Sequence, residues 1–322
     1  MIKQPFFSGT GADKDRGYIL RIEKASIHDG EGLRSVVFFK GCPLECGWCS
    51  TPESQRFKPE IGIDPLKCTH CGACVEACPS SALFIEEGFP RVLREKCTGC
   101  FKCAEACMSK AVKKYGATCA VEEIADEVSK DEIFYFHSGG GVTLSGGEPC
   151  AQPRYAADLL REMRSRGIHT TIETSLHADW EHVRMLLPYL NCVLADVKHM
   201  DTAQHKKWTG VGNELILENL VKIDASHFPI CLTIRVPLIP GINDSDENLR
   251  ALAEFCRSLK KLQAIELLPY HRLGSDTYRL LNRVYAIESV AAQSSEELEE
   301  RASFLCSCRP GVPVVAGGRE FK

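Results

Sequence analysis

The spacing of hydrophobic positions switches repeatedly between a period of two and a period near 3.6. Tyr18, Leu20 and Ile22 alternate with Ile19, Arg21 and Glu23, which predicts a strand over Tyr18–Ala25. Ser35-Val36-Val37-Phe38-Phe39-Lys40 predicts a second strand. From Val121 onward, short apolar runs alternate with helix-spaced stretches. Helices are predicted over Val121–Lys130, Pro153–Arg166, Asn213–Ala225 and Ser245–Leu259, with another running from its cap at Asp179 to Leu187. Between them, strands are predicted over Val142–Leu144, His169–Glu173, Cys192–Asp196, Cys231–Val236 and Ala264–Leu268. In Cys231–Val236, Leu232, Ile234 and Val236 share one face, and Thr233 and Arg235 the other. Pro153 suits a helix start and Gly167 a helix end. Ser294–Phe304 predicts a last helix, and beyond Arg309 only loop chemistry is evident.

Strand–helix alternation of this kind predicts an α/β fold of parallel βα units. In such barrels, chemical residues gather at the C-terminal ends of strands. The polar motifs follow that rule. Cys42, Cys46 and Cys49 follow the strand ending at Lys40. Gly146-Gly147-Glu148 follows the next, Glu173-Thr174 and Asp196 close two more, Arg235 lies on the fifth and His271 follows the sixth.

Composition narrows the reading. The 322 residues are 44% hydrophobic and 25% charged, with net charge −4, so neither nucleic acid nor a membrane is an expected partner. No apolar run approaches a membrane span, and Met1–Gly17 has no signal-peptide core. Cysteine is the outlier. Eleven of the eighteen cysteines fall in three tight clusters, which points to metal chemistry in a reducing cytoplasm rather than to disulfides. The bland reading of the other seven is small buried apolar residues.

The first cluster is Gly41-Cys42-Pro43-Leu44-Glu45-Cys46-Gly47-Trp48-Cys49, a C-x3-C-x2-C loop. Three thiolates hold three irons of a [4Fe–4S] cube and leave the fourth iron open. A structural zinc loop is the competing reading, but zinc motifs usually pair C-x2-C with a distant second pair. The other two clusters are a duplication. Cys68-x2-Cys71-x2-Cys74-x3-Cys78 recurs 29 residues later as Cys97-x2-Cys100-x2-Cys103-x3-Cys107. This is the spacing of bacterial two-cluster ferredoxins, in which the fourth cysteine of each run serves the other cluster. One set would be Cys68, Cys71, Cys74 and Cys107, and the other Cys97, Cys100, Cys103 and Cys78.

The loop of Cys42, Cys46 and Cys49 resembles the signature of radical S-adenosylmethionine (SAM) enzymes. His28-Asp29-Gly30-Glu31-Gly32-Leu33-Arg34, Ser138-Gly139-Gly140-Gly141-Val142-Thr143-Leu144-Ser145-Gly146-Gly147-Glu148-Pro149 and Leu267-Leu268-Pro269-Tyr270-His271-Arg272-Leu273-Gly274 resemble the glycyl-radical-enzyme activating enzymes within that superfamily. The likeness runs from about Tyr18 to Gly274. It implies a partial (β/α)6 TIM-type barrel over 18–58 and 118–290, with an inserted α+β bacterial-ferredoxin-like domain over 59–117. A tail over 1–17 and an extension over 291–322 complete the expected organisation.

The same resemblance implies roles. SAM would chelate the open iron beside Cys42, Cys46 and Cys49 and be cleaved to a 5′-deoxyadenosyl radical. Gly146, Gly147 and Glu148 would receive its amino group, and Trp48 would lie near adenine. Glu173, Thr174 and Asp196 would lie near its carboxylate, with a monovalent cation, although Glu173 stands where the type member has aspartate. Arg235 and His271 would contact SAM, and Asp29 would place the partner's glycine loop. Implied cofactors are three [4Fe–4S] clusters and SAM. Implied partners are a glycyl radical enzyme and a low-potential electron donor such as flavodoxin or ferredoxin. The alternatives are a radical SAM enzyme acting on a small molecule or peptide precursor, and a ferredoxin-like electron carrier without catalysis.

Overall fold

The computed structural model describes residues 16–321. Residues 1–15 of the expected tail lie outside that range, and Arg16 and Gly17 already belong to a strand. The described strands are Arg16–Ser26 (β1), Arg34–Phe39 (β2), Glu60–Ile63 (β3), Leu83–Glu86 (β4), Phe89–Val92 (β5), Val112–Tyr115 (β6), Ala117–Ala120 (β7), Gly141–Gly146 (β8), His169–Thr174 (β9), Cys192–Asp196 (β10), Cys231–Leu238 (β11), Leu262–Pro269 (β12), Val314–Ala316 (β13) and Arg319–Phe321 (β14).

Ten of them form one sheet in the order β14-β13-β12-β11-β10-β9-β8-β2-β1-β7. Every pair from β2 to β13 is parallel. Antiparallel pairs flank this run, β2–β1 and β1–β7 at one end and β13–β14 at the other. The chain is thus α/β with a mostly parallel central sheet. Each of the six strands β2, β8, β9, β10, β11 and β12 delivers its C-terminal end to the same side, because parallel neighbours connected by helices must run the same way.

The two faces of the sheet differ in chemistry. Helices Pro153–Ser165, Trp180–Leu186, Glu214–Ala225 and Asp246–Cys256 supply Leu159, Leu160, Leu186, Leu220, Leu252 and others to one apolar core with Val193, Leu232, Ile234 and Ile265. Each such side chain contributes about 1.5–3 kcal/mol by leaving water. The other face is polar yet buried. Arg34, fully buried, donates to Thr143 Oγ1 at 2.7 Å, Thr171 Oγ1 at 2.9 Å and Val142 O at 2.6 Å. A guanidinium is tolerated there only because its donors are met.

Most elements lie where the hydrophobic spacing predicts them, and Ser294 caps the last helix, Ser295–Ser307, through a capping box with Glu297. The expectation of loop alone beyond Arg309 is corrected. β13 joins β12 in parallel and β14 folds back on it. Three-residue strands are too short to show a period. Their one local signal was Gly317-Gly318, both at positive φ (55° and 78°), the usual composition of a two-residue hairpin turn. Short helices Glu132–Ser138, Thr202–Thr209 and Ser275–Leu280 were likewise not predicted. Among the described residues no helix is long and apolar enough to cross a membrane.

Residues 60–115, from β3 to β6, form a small unit with its own core of Ile61, Cys74, Leu83, Cys103 and Val112. β3 pairs with β6 and β4 with β5, both antiparallel, and helices Ala73–Glu76 and Lys102–Glu105 lie one in each cysteine run.

Candidate active site

The loop Gly41–Cys49 leaves β2 and is held from three sides. Gly41 N donates to Ser54 O at 2.6 Å and Cys42 N to Gln55 O at 3.0 Å. Glu45 N and Gly47 N donate to Thr209 O and Trp208 O, at the end of helix Thr202–Thr209. Tyr278 Oη donates to Cys46 O at 3.3 Å. Trp48, Leu44 and Cys46 pack with Tyr270, Tyr278 and Tyr285, so Trp48 is a buried packing residue of this loop.

Cys42, Cys46 and Cys49 are all free thiols, Cys46 buried and the other two half-buried. Burial pushes all three thiols up, Cys49 to about 12, and Cys46 adds to the shift of both neighbours. Thiols in such surroundings ionise only when a cation takes the place of the proton, as iron does. The donor set fits a [4Fe–4S] cube, in which each thiolate binds its own iron. A single ion asks for tighter convergence, and among the described residues no three or more His, Cys, Asp or Glu side chains meet closely enough to hold one.

The glycine turn after β8 is bound directly to this loop. Glu148 N donates to Gly41 O at 2.8 Å and Gly147 N to Phe39 O at 3.0 Å. A Cβ on Gly147 would sit 2.4 Å from Gly41 O, so only glycine permits this approach. The Glu148 carboxylate is fully buried. It accepts from Thr174 Oγ1 (2.6 Å) and Cys150 N (3.0 Å) on one oxygen, and from Ser175 N (2.8 Å) and Oγ (2.6 Å) on the other. Its acceptor positions are therefore taken within the protein.

Arg235 is 4% exposed and organises the polar face. Its guanidinium lies 2.9 Å from Glu173 Oε1, 2.8 Å from Glu266 Oε2 and 3.9 Å from Asp29 Oδ1, and it donates to His28 O. Burial opposes the charge on Arg235, but Glu173 and Glu266 outweigh it and hold the guanidinium above its usual range. Glu173, which also accepts from Ser145 Oγ, stays below the usual carboxylate range because the Arg235 charge outweighs burial. Burial, with Glu173 close by, pushes Asp29 up. Asp196 pairs with Lys198 at 2.6 Å, yet burial still raises it, and its Oδ1 is buried without a partner. Lys198 is raised because Asp196 outweighs burial.

Thus β8, β9, β10 and β11 bring Gly146, Gly147, Glu148, Glu173, Thr174, Asp196 and Arg235 into one hydrogen-bonded and charged surface beside the cysteine loop. His271 is exposed just past β12. Lys198 and Glu266 also belong to the charged set, and Glu266 was not singled out from sequence. The signal for Glu266 was a carboxylate within the apolar run Ala264–Leu268.

Residues 36–253 match the Radical SAM superfamily model. The chain is 46% identical over 283 residues to the (2S)-3-sulfopropanediol sulfolyase activating enzyme of Bilophila wadsworthia, covering 87% of this chain and 93% of that protein. It is 42% identical over 285 residues to the trans-4-hydroxy-L-proline dehydratase activating enzyme of Clostridioides difficile, covering 88% and 93%. The chain belongs to the glycyl-radical-enzyme activating enzymes of the radical SAM superfamily. As such an activating enzyme it uses SAM and a [4Fe–4S] cluster, and its partner is a glycyl radical enzyme. A radical SAM methyltransferase from Sphaerobacter thermophilus, 14% identical, shares the fold with a TM-score of 0.53 over 93% of this chain and 77% of that one.

This activating enzyme carries two further cysteine-lined cavities in its small unit. One is ringed by Cys97, Cys100, Cys103 and Cys78, with Ile61, Leu83 and Val92. The other is ringed by Cys68, Cys71, Cys74 and Cys107, with Ile85, Pro90 and Val112. Each ring takes three cysteines from one run and the fourth from the other. At Cys78 a burial cost is outweighed by hydrogen bonds from Ser80 and the Ala82 amide (3.2 Å), which hold the thiol low. At Cys107 the Val112 amide (3.5 Å) and Ser109 do the same. Hydrogen bonds of this kind stabilise a thiolate ready to bind iron.

Proposed function

We propose that this protein generates a 5′-deoxyadenosyl radical inside a partial (β/α)6 barrel and uses it to take a hydrogen atom from a backbone glycine of its partner. The observation that carries the reading is the bond of Glu148 N to Gly41 O, because it joins the SAM-facing turn to the cysteine loop. Curling of the sheet is supported by Arg235 on β11. It reaches His28 O, ahead of β2, although three strands separate β11 from β2. In a flat sheet that span is about 19 Å, beyond any side chain.

In this reading Cys42, Cys46 and Cys49 hold the cluster that supplies the electron for reductive cleavage of the SAM sulfonium. Carbonyls of the Gly146-Gly147 turn accept from the methionine ammonium, and Glu148 braces the turn. Arg235 fixes the carboxylates of Glu173, Glu266 and Asp29. Asp196, paired with Lys198, keeps one oxygen open for a monovalent cation near the SAM carboxylate. Trp48 stiffens the cluster loop, and His271 meets SAM as the barrel mouth fills. Asp29 borders the path of the incoming glycine loop. Positioning of this kind governs a reactive radical more than acid–base chemistry does.

The unit over 59–117 is read as a two-cluster ferredoxin-like insert, which gives three [4Fe–4S] clusters in all. The barrel would span 18–58 and 118–290, and 291–322 would form an extension that adds β13 and β14. A low-potential carrier such as flavodoxin or ferredoxin would deliver the electron. The test uses a partner lyase deuterated at its glycine α-carbon. The expected result is deuterium in 5′-deoxyadenosine and a carbon-centred doublet in the electron paramagnetic resonance (EPR) spectrum of the partner. Deuterium taken from a free metabolite, with no protein glycyl signal, would sink the reading in favour of a small-molecule substrate.

A further inference from the structure

The two cysteine-ringed cavities stand at different distances from the barrel loop, and three features agree on the order. The ladder of β3 with β6 runs from Glu60↔Tyr115 to Ile63↔Val112. Its Glu60 end abuts the cysteine loop, since Lys40 Nζ lies 3.1 Å from Glu60 Oε1 and a Cβ on Gly116 would sit 2.6 Å from Lys40 Cδ. Ile61, near that end, lines the cavity of Cys97, whereas Val112, at the far end, lines the cavity of Cys68. The β4–β5 hairpin repeats the order. The pair Leu83↔Val92 lines the first cavity, and Ile85↔Pro90, two residues nearer the turn, lines the second. The Val92 end is tied inward by Arg94, which donates to Ile61 O at 2.8 Å and Leu281 O at 3.2 Å. Finally, Gly99 of the first cavity faces Pro59 O, a Cβ there lying 3.8 Å away. A two-residue step along a strand is about 7 Å, enough to order two redox sites.

Solvent exposure does not choose the entry, because Cys71 and Cys100 are both exposed. The rim does. Leu66 (84%), Ile85 (50%) and Met108 (91%) are large apolar side chains held in water. Ile85 lines the Cys68 cavity, Met108 stands between its lining residues Cys107 and Ser109, and Leu66 precedes Cys68 by two. Large apolar side chains exposed beside a cavity mark a surface that is covered part of the time. Electron-transfer encounters bury little area, so one apolar side chain on the cavity wall and two within two residues of its lining cysteines suit such a partner.

We propose that electrons enter this protein at the cavity of Cys68, Cys71, Cys74 and Cys107, from a one-electron carrier protein docked on Leu66, Ile85 and Met108. They leave for the barrel through the cavity of Cys78, Cys97, Cys100 and Cys103. The proposal rests on the reading of both cavities as [4Fe–4S] sites. Each transfer moves one electron and no proton. The carrier is oxidised by one electron, and the final acceptor is the SAM sulfonium, whose carbon–sulfur bond breaks as it is reduced.

The test compares anaerobically loaded wild type with Cys68→Ala/Cys71→Ala and with Cys97→Ala/Cys100→Ala. About eight irons per chain in each variant show that the two untouched sites are filled, and a count near twelve in both would sink the ligand reading instead. The serine versions of both pairs serve where alanine prevents loading. With every site reduced by dithionite, the barrel cluster is recognised by its EPR shift on adding SAM, and its spin relaxation reports the nearest paramagnetic neighbour. The fast relaxation is expected to be lost on changing Cys97 and Cys100 and retained on changing Cys68 and Cys71. The opposite pattern overturns the order. For the docking face, Met108→Glu should slow 5′-deoxyadenosine formation driven by reduced flavodoxin about tenfold more than formation driven by dithionite. An equal effect with both donors, or none with either, overturns the entry face. Absence of SAM cleavage in dithionite-reduced wild type would instead count against the assigned enzyme chemistry.

Discussion

Lys40 and Glu60 meet at 3.1 Å in a buried ion pair that fastens the strand entering the cysteine loop to the first strand of the small unit. Glu60 also takes Arg283 at 2.9 Å and Arg94 at 3.3 Å. With Arg56 at 3.7 Å, one carboxylate balances four cations. Burial lowers Lys40 to about 8, with Glu60 opposing and Arg283 adding to the fall.

Glu60→Gln keeps the shape and removes the charge. It leaves the cations of Lys40, Arg56, Arg94 and Arg283 without their shared partner, so the expected loss is about 3–5 kcal/mol of unfolding free energy. Urea unfolding followed by circular dichroism checks it. A loss under about 1 kcal/mol would mean that the cluster of charges is already screened by water.

Cys78 belongs to one run by sequence and lines the cavity of the other. Cys78→Ala should therefore disturb the site of Cys97, Cys100 and Cys103, and spare that of Cys68, Cys71 and Cys74. Mössbauer and EPR spectra of the loaded variant read which site changes. Loss of the Cys68 site with an intact Cys97 site would refute the crossed ligand sets.

His205 gives a pH dependence with a definite sign. It is buried, with Nδ1 on Val211 O at 2.7 Å, and its Nε2 has no partner. Burial lowers its pKa below the ordinary value, and Lys198 nearby adds to that. The unfolded chain then binds the extra proton first, so this contribution is present above the unfolded pKa of about 6.5 and is lost as pH falls through the folded value. Thermal melts from pH 7.5 to 5.5 should show falling stability. His205→Gln should flatten the slope without abolishing it, since burial lowers His169 and His199 as well. An unchanged slope in the variant would exclude His205 as a source.

Much of the fold was legible because its signals are local. The limits of β10 follow from the apolar run of Cys192–Asp196, and the helix Pro153–Ser165 from its proline start and glycine stop. The cysteine spacings are local too, since a cluster loop must present its thiolates within a few residues. By contrast β13 and β14 escaped notice. Three residues carry no period, and the parallel place beside β12 is set by the helix Ser295–Ser307 packing over it.

The sequence by itself determined the alternation of strands and helices, the three cysteine sets and the polar residues at the strand ends. Only the tertiary structure decided what those polar residues do to one another. It turned the Glu148 carboxylate inward onto Thr174 and Ser175, gave Arg235 the unforeseen partner Glu266, and set the Ile61-lined cavity of Cys97 nearer Lys40 and the cysteine loop than the Val112-lined cavity of Cys68. The reason is physical. Propensity and spacing act over a few neighbouring residues, whereas a buried charge takes whichever partner the packed sheet brings within reach, however distant in the chain.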